Sequence, residues 1–171
     1  MASDRSKQED SEKRLWVLRA GKRGGAHTLF LTSNLLVLDH DDMGDLALLE
    51  PKREAFYGKV RHVRPTDTRT GTAGIGGKFY RFIHDMSIGD IVVYPCLLDK
   101  HVYFGVIQSK YQYAPKTSPE YPHQRKVRWS GSIPKSSLSQ PAIREMGAAR
   151  TLFEITTNKA EFLRFLSSMQ R

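Results

Sequence analysis

The stretch RKVRWSGSIP, residues 125–134, places Arg125, Lys126 and Arg128 around Trp129 and contains no acidic residue. Val127 and Trp129 alternate with Lys126 and Arg128, and this period of two predicts a half-buried β-strand whose successive side chains point to opposite faces. One face of the strand is therefore expected to pack on a core. The other face is basic, and we expect it either to stay in solvent or to contact a polyanion.

The composition bounds the class of protein. The 171 residues are 39% hydrophobic, which is enough for one globular domain with its own core. Lys and Arg number 27 against 18 Asp and Glu, so the net charge of +9 favours an anionic partner such as nucleic acid. No apolar run approaches the roughly 18 residues of a membrane span, and the polar N-terminus does not resemble a signal peptide. We therefore expect a cytoplasmic protein with no membrane partner, of undetermined oligomeric state.

The chain is predicted to consist of a tail and a single domain. Residues 1–14 carry no apolar side chain beyond Met1 and Ala2, which predicts a mobile tail, so the domain spans 15–171. The domain is expected to open with a strand, a short helix and a second strand. These lie at LWVLRAG (15–21), GAHTLFLTSN (25–34) and LLVLD (35–39).

The middle of the chain, residues 52–81, is basic. Its central part, TDTRTGTAGIGG (66–77), is polar and glycine-rich, which predicts a long mobile loop. The next stretch, KFYRFIHDM (78–86), spaces its apolar residues as the stripe of a helix that packs on the core.

The second half of the chain alternates strands with short helices. IVVYP (91–95) and the segment from His101 are predicted to form a hairpin, and Asn158 is predicted to cap the last helix together with Glu161. Five or six strands with helices between them indicate an α+β fold. Long helices between all strands are missing, which favours a small curled sheet or barrel over a parallel sheet.

Motifs of several enzyme classes are missing or incomplete. The six histidines are never closer than 13 residues and there is no Cys-x-x-Cys, so zinc chemistry is poorly supported. GTAGIGGKF (71–79) misses the spacing of a phosphate-binding loop by one residue. The single cysteine, Cys96, is expected to be a small buried hydrophobe. We predict no cofactor and no metal.

One acidic segment sustains an alternative. Asp39 and Glu50, followed by Lys52, imitate the carboxylate and lysine pattern of metal-dependent nucleases. Pro51 argues against a central strand there, so an acidic turn is the simpler interpretation. A metal-dependent nuclease nevertheless stays as the alternative function.

The glycine turn AGKRGG (20–25) is a candidate anion site. A strand leads into it and a helix follows, which leaves free amides beside Lys22 and Arg23, although an ordinary glycine turn fits the same pattern. The two tryptophans, Trp16 and Trp129, either stack on a nucleobase or belong to the core.

Four stretches, taken in order, resemble one known family. They are WVLRAGKRGG (16–25), KFYRFIHDMSIGDIVVYP (78–95), VYFGVI (102–107) and RKVRWSGSIPKSSLSQPAIREMGAARTLFEI (125–155). Together they resemble the N-terminal domain found ahead of Mrr-type restriction endonucleases, over most of residues 15–165. The resemblance implies a PUA-like fold related to EVE, YTH and SRA domains, in which a small curled β-barrel of five to six strands is flanked by helices.

The resemblance also implies a function. Such domains are readers, so we expect a DNA-binding module that flips out a modified base and inspects it in a pocket, with modified cytosine such as 5-methylcytosine favoured. The module would target a modification-dependent restriction or antiviral defence system. It would bind and not act as an enzyme, because cutting would belong to a nuclease domain or a partner in trans. A YTH-like reader of modified RNA is a further alternative.

The candidate residues fall into two sets. Where the family commonly has an aromatic, a glycine and a tryptophan, this chain has His27, Asp39 and His40. The base pocket is predicted to contain Trp16, Arg19, Gly21, Gly24, Gly25, His27, Asp39, His40 and Trp129. Phosphates are predicted to contact Lys22, Arg23, Lys78, Arg81, Arg125, Lys126 and Arg128.

Overall fold

The computed structural model describes residues 12–170 together with Arg5, Gln8 and Glu9, so most of the predicted tail 1–14 lies outside the described residues. Arg14, at the end of that segment, is held against the fold. Its guanidinium donates a hydrogen bond to the Glu154 carboxylate at 2.6 Å and lies 4.4 Å from the ring centroid of Trp16.

The described chain contains the strands and helices that the hydrophobic patterns predict, with two additional helices in its middle. The strands are β1 (Leu15–Leu18), β2 (Leu35–Leu38), β3 (Ile91–Pro95), β4 (His101–Ile107), β5 (Gln112–Tyr113), β6 (His123–Pro134) and β7 (Leu152–Glu154). The helices are α1 (His27–Leu31), α2 (Arg53–Val63), α3 (Arg69–Tyr80), α4 (Gln140–Met146) and α5 (Lys159–Met169). No helix in residues 12–170 is long and apolar enough to cross a bilayer.

The strands form one sheet in the order β2-β6-β4-β3-β1-β7, and β5 pairs with β6 beside this path. The sheet is curled into a half-barrel and the helices cover it, which confirms the α+β class and the curled sheet. Neighbouring strands are antiparallel except for β1 and β3, which are parallel with Leu15 opposite Ile91.

Strand β6 holds the sheet together because its two halves pair with different strands. Its first half pairs with β2, with Lys126 opposite Leu35, and its second half pairs with β4, with Val127 opposite Ile107. The predicted alternation is confirmed here, since Val127 is buried while Lys126 and Arg128 are exposed. A twelve-residue strand thus links the β2 edge to the centre of the sheet.

Both faces of the central strands are buried, so two apolar clusters form. All four residues of β1 are buried, and successive side chains enter opposite clusters. The first cluster contains Trp16, Phe30, Phe79, Phe82 and Tyr94. The second contains Val17, Phe104, Leu138, Phe153, Phe162 and Leu166.

The predicted mobile loop at 66–77 is wrong, because most of this segment is helical. Helix α3 packs against α2, and the hydroxyl of Thr68 caps α3 by accepting a hydrogen bond from the Gly71 amide at 3.0 Å. The glycines permit this packing: a Cβ on Gly76 would lie 2.5 Å from the Tyr57 ring. Glycine lowers intrinsic helix propensity, but here it lets two helices approach closely.

The predicted cap of α5 is also wrong in its partners. The Asn158 side chain donates to Glu145 at 3.0 Å and makes no capping hydrogen bond to α5. The Glu161 carboxylate instead accepts from the Ser139 amide at 2.9 Å. Both side chains bond to the segment around α4, so tertiary contacts replace the local capping box.

Candidate functional site

A small cavity opens where β1 and β2 end, beside α3. Its volume is about 240 Å³. The end of β2 and the residues that follow β1 and β2 supply most of its wall, and α3 and the residue before β7 complete it. The lining residues are Arg19, Gly21, Val37, Leu38, Asp39, His40, Lys78 and Thr151. Five of these, Arg19, Gly21, Asp39, His40 and Lys78, are among the sixteen site residues predicted from the sequence.

This is the smaller of two adjoining cavities, and three ionisable side chains form its polar wall. The ammonium of Lys78 lies 3.2 Å from Oδ1 of Asp39, and Nε2 of His40 lies 3.4 Å from the same oxygen. Lys78 is only 8% exposed, and burial lowers its pKa although the Asp39 charge opposes this effect. Burial opposes ionisation of Asp39, but Lys78 and His40 outweigh it and hold the pKa of Asp39 below its ordinary value. The cavity thus offers a carboxylate acceptor beside an ammonium donor.

His40 is fixed through its backbone. It lies in the left-handed region at φ 66° and ψ 59°, a conformation that few residues other than glycine adopt. Nε2 of His123 donates a hydrogen bond to the His40 carbonyl at 3.2 Å, and the Tyr111 hydroxyl lies 2.8 Å from Nδ1 of His123. Burial lowers the pKa of His123 to about 4, so the ring is neutral near pH 7 and its Nδ1 accepts from Tyr111. This network holds His40 at the cavity wall.

Gly21 leaves room for an aromatic ring beside the cavity. Its φ is +70°, and a Cβ there would lie 3.1 Å from the hydroxyl oxygen of Tyr121. Burial raises the pKa of Tyr121, and the nearby charge of Asp39 raises it further. Tyr121 was not among the predicted site residues, because it belongs to a proline-marked loop with no regular pattern.

Arg19 lines the cavity, but its guanidinium donates hydrogen bonds to backbone carbonyls of the protein. Its guanidinium donates to the carbonyl of Ala148 at 2.7 Å, to that of Met146 at 3.3 Å and to that of Arg150. These bonds fasten the segment after α4 to the end of β1. Arg19 is therefore a positioning residue for Arg150 and Thr151.

A larger cavity adjoins the smaller one and shares Lys78 and Thr151 with it. Its volume is about 580 Å³, and one wall is the small-residue side of α3. The lining residues are Thr70, Gly71, Ala73, Gly74, Ile75, Lys78, Arg81, Ala149, Arg150, Thr151 and Leu152, with no carboxylate among them. Sequence reasoning missed Arg150 and Thr151, because only the folded chain brings them beside Lys78.

A family model described as a domain of unknown function, DUF8426, matches residues 16–156. The chain belongs to the DUF8426 family. Among solved structures, it is similar to one titled "Structure of Hypothetical protein from Leishmania major", at 12% sequence identity and a TM-score of 0.44, over 95% of this chain and 99% of that one. No curated protein sequence matches the chain.

Two residues of the predicted base pocket belong to the packing of this DUF8426 domain, Trp16 inside the core and Trp129 against it. Trp16 is 0% exposed and its indole N–H donates to Asp90 at 3.0 Å, so it lines no open pocket. Trp129 is partly buried, and its indole N–H donates to the Phe30 carbonyl at 2.7 Å. Its ring packs on Phe30 and Tyr94, which indicates a supporting role.

Arg125 was predicted to contact nucleic-acid phosphates, but its side chain is only 2% exposed and is not accessible to them. Its guanidinium donates to the carbonyls of Phe82 at 2.8 Å, Met86 at 2.7 Å and Ser109 at 3.0 Å. These bonds tie β6 to the π-helical turn Arg81–Asp85 that follows α3. The prediction failed because the alternation of β6 turns Arg125 inward together with Val127.

The glycine turn lies outside both cavities except for Gly21. Residues Lys22–Gly24 form a short 3₁₀ turn in which Arg23 is exposed, and the side chain of Lys22 is not among those described. Nδ1 of His27 lies 2.8 Å from the Tyr94 hydroxyl oxygen, and His27 lines neither cavity. Gly24 and Gly25 also stand apart from the lining.

The acidic segment that suggested a metal-dependent nuclease makes separate local contacts. Asp45 accepts a hydrogen bond from the Ala47 amide at 3.0 Å, and Lys52 pairs with Glu50 at 3.5 Å on the surface. Asp39 pairs with Lys78. Within the described part of the chain, no group of three or more His, Cys, Asp or Glu side chains is placed to hold a metal ion.

Proposed function

We propose that this domain is a nucleic-acid reader that receives one extruded base in the smaller cavity, with a modified cytosine in DNA as its favoured target. The supporting observation is the polar wall of Asp39, His40 and Lys78, set beside a larger cavity that is lined by cations and by no carboxylate. A volume near 240 Å³ is below the roughly 300 to 1,000 Å³ of typical ligand pockets, so it suits one ring system.

The chemistry of this wall fits the hydrogen-bonding edge of cytosine. The Asp39 carboxylate accepts from an exocyclic amino group, which is the recognised pairing of an acidic side chain with cytosine. The Lys78 ammonium donates to the ring nitrogen or carbonyl on the same edge. Val37 and Leu38 also line the cavity, although their side chains are almost fully buried.

Stacking in this pocket would use His40 in place of a tryptophan. The imidazole of His40 packs edge-on against Phe79, with ring centroids 6.0 Å apart, so its position is braced from behind. An aromatic or imidazole face stacks on any base and contributes about 1 to 3 kcal/mol per base.

The finer identity of the fold and the biological setting rest on the sequence resemblance. The α+β fold with its curled sheet is compatible with a PUA-like domain of the kind found ahead of Mrr-type nucleases. On this proposal the chain binds modified DNA as the targeting module of a restriction or defence system. Cleavage belongs to a nuclease domain or to a partner in trans.

A binding panel tests this proposal. Otherwise identical duplexes carry unmodified cytosine, 5-methylcytosine, 5-hydroxymethylcytosine or methylated adenine at one position, and matched RNAs are run in parallel at one salt concentration. We expect tighter binding to a modified-cytosine duplex, and a fluorescent base analogue next to the modified cytosine should report its unstacking. Equal affinity for all the duplexes would overturn the base-reading proposal, and preference for modified RNA would move it to that class.

A further inference from the structure

Two arginines that line the larger cavity form no ion pair with a described carboxylate, although the charge of Asp85 acts on Arg81 from beyond ion-pair distance. Arg53, Arg81 and Arg150 lie close enough that burial and the other two charges lower the pKa of Arg81. Arg53 is neutralised by Asp85, whose carboxylate lies 2.9 Å from its guanidinium. Neither Arg81 nor Arg150 forms an ion pair with any carboxylate whose side chain the structure describes.

Arg81 also has a hydrogen-bond donor that is unpaired among the described residues. Its Nε is buried and has no hydrogen-bond partner within the described chain. Buried donors are nearly always paired, and like charges held close together are unfavourable until an anion joins them. A guanidinium presents several N–H donors in one plane, and this geometry matches two oxygens of a phosphate.

The walls of the cavity favour a compact anion close to the backbone. Gly71, Ala73, Gly74 and Ala149 present no side chain beyond Cβ, so a ligand can approach the main chain. Hydroxyl groups and an ammonium supply further donors around the same space, from Thr70, Thr151 and Lys78. This donor-rich, acid-free lining is the chemistry of a phosphate site.

We propose that Arg81 and Arg150 bind one phosphate group in the larger cavity, and that in nucleic acid this is the phosphate next to the extruded nucleotide. The assignment to nucleic acid rests on the proposed function. Lys78 and Thr151 line both cavities, so a chain with its base in the smaller cavity places its neighbouring phosphate in the larger one.

The phosphate site is tested first without nucleic acid. Inorganic phosphate is titrated into protein labelled with ¹⁵N, and the Nε–H resonance of Arg81 is followed. We expect a saturable shift that is weakened at least about fivefold in Arg150→Gln and is unchanged in Arg164→Gln, which removes an equal charge from the exposed face of α5. Acetate at equal ionic strength serves as the carboxylate control. No shift, or an equal response to acetate, would overturn the phosphate site.

The position on nucleic acid is tested by neutral linkages. Methylphosphonates replace single phosphates, one position at a time, in the duplex that binds best in the panel. One linkage beside the modified base should reduce affinity about tenfold in the parent protein and in Arg164→Gln. It should have little effect in Arg81→Gln or Arg150→Gln, which have already lost the contact. A uniform loss at all positions would contradict the assignment.

The two proposals can fail separately. If phosphate shifts Arg81 but no duplex binds, the phosphate site stands and the reader function falls. If duplexes are discriminated while Arg81→Gln and Arg150→Gln behave like Arg164→Gln, the reader function stands and the phosphate site falls. Arg150 is exposed, so its substitution leaves the core intact and loss of binding there is not a folding defect.

Discussion

His123 is a buried histidine whose neutrality supports the site. The unfolded chain protonates this ring near its ordinary pKa of about 6.5, whereas the folded protein does so only near a pKa of about 4. Between these values the unfolded state binds more protons, so stability is present above about pH 6.5 and is lost as the pH falls toward 4. We expect the free energy of unfolding to drop by about 3 kcal/mol over this window from His123 alone. Denaturant unfolding at stepped pH measures it.

The control for this prediction is a second histidine. His123→Gln should remove most of the slope of stability against pH, although it is less stable at every pH because the bond to the His40 carbonyl is weakened. His62→Gln, at an exposed position, should retain the slope of the parent protein. An unchanged slope in His123→Gln would show that another group causes the pH dependence.

Asp39 is the residue that should decide the base preference. Asp39→Asn keeps the shape of the side chain but replaces the carboxylate by an amide and leaves Lys78 without its counter-charge. We expect the preference for modified cytosine to fall about tenfold or more, while binding to unmodified duplex is retained or strengthened because a negative charge is lost. Competition binding with the duplex panel measures both quantities. A preference equal to that of the parent would place base reading elsewhere.

At the residue scale, the sequence predicted site residues that directly follow a strand more accurately than site residues within a strand. Arg19, Asp39 and His40 follow the ends of β1 and β2, and the fold gathers all three at one cavity. Trp16 lies within β1, which is buried on both faces, and Arg125 lies on the inward face of β6, so both side chains are enclosed. A period of two indicates which face a residue occupies but not whether a helix covers that face.

At the scale of elements, the α2–α3 hairpin offers a matched pair of glycines. Gly76→Ala should destabilise the protein by about 1 to 3 kcal/mol, since the new methyl would lie 2.5 Å from the Tyr57 ring. Gly74→Ala, on the same helix, meets nothing within 4 Å and should be neutral or stabilising by up to about 1 kcal/mol. Urea unfolding of both variants measures the difference. Equal effects would show that the helices do not pack as described.

The same hairpin explains the largest failure of prediction. Propensity disfavours helix in TDTRTGTAGIGG because glycine is flexible, and that local signal is correct for an isolated segment. The packing of α2 against α3 overrides it, and this contact is not visible in a single sequence. The strands and the apolar stripe at Phe79, Phe82 and Met86 were predicted correctly because their patterns directly reflect burial.

At the scale of the whole molecule, the charge of +9 should govern general affinity. Lys126 and Arg128 are exposed on β6 and line neither cavity. The double variant Lys126→Gln, Arg128→Gln should weaken binding to every duplex alike and reduce the slope of log K against log salt concentration by about 2. Titrations at several salt concentrations measure this slope. A change in the preference between modified and unmodified duplexes would assign these residues to base reading.

The parallel pairing of β1 with β3 has a consequence for how the molecule assembles. The connection between them, residues 19–90, contains the edge strand β2 and the helices α1, α2 and α3, and it supplies most of the lining of both cavities. The contacts that close this connection join residues far apart in sequence, and such contacts form slowly in folding. The sheet centre, whose β3–β4 hairpin is local, is therefore expected to form first, and the cavities last. A nascent chain would acquire its ligand-binding capacity only after Thr151 and the residues beyond it have been synthesised.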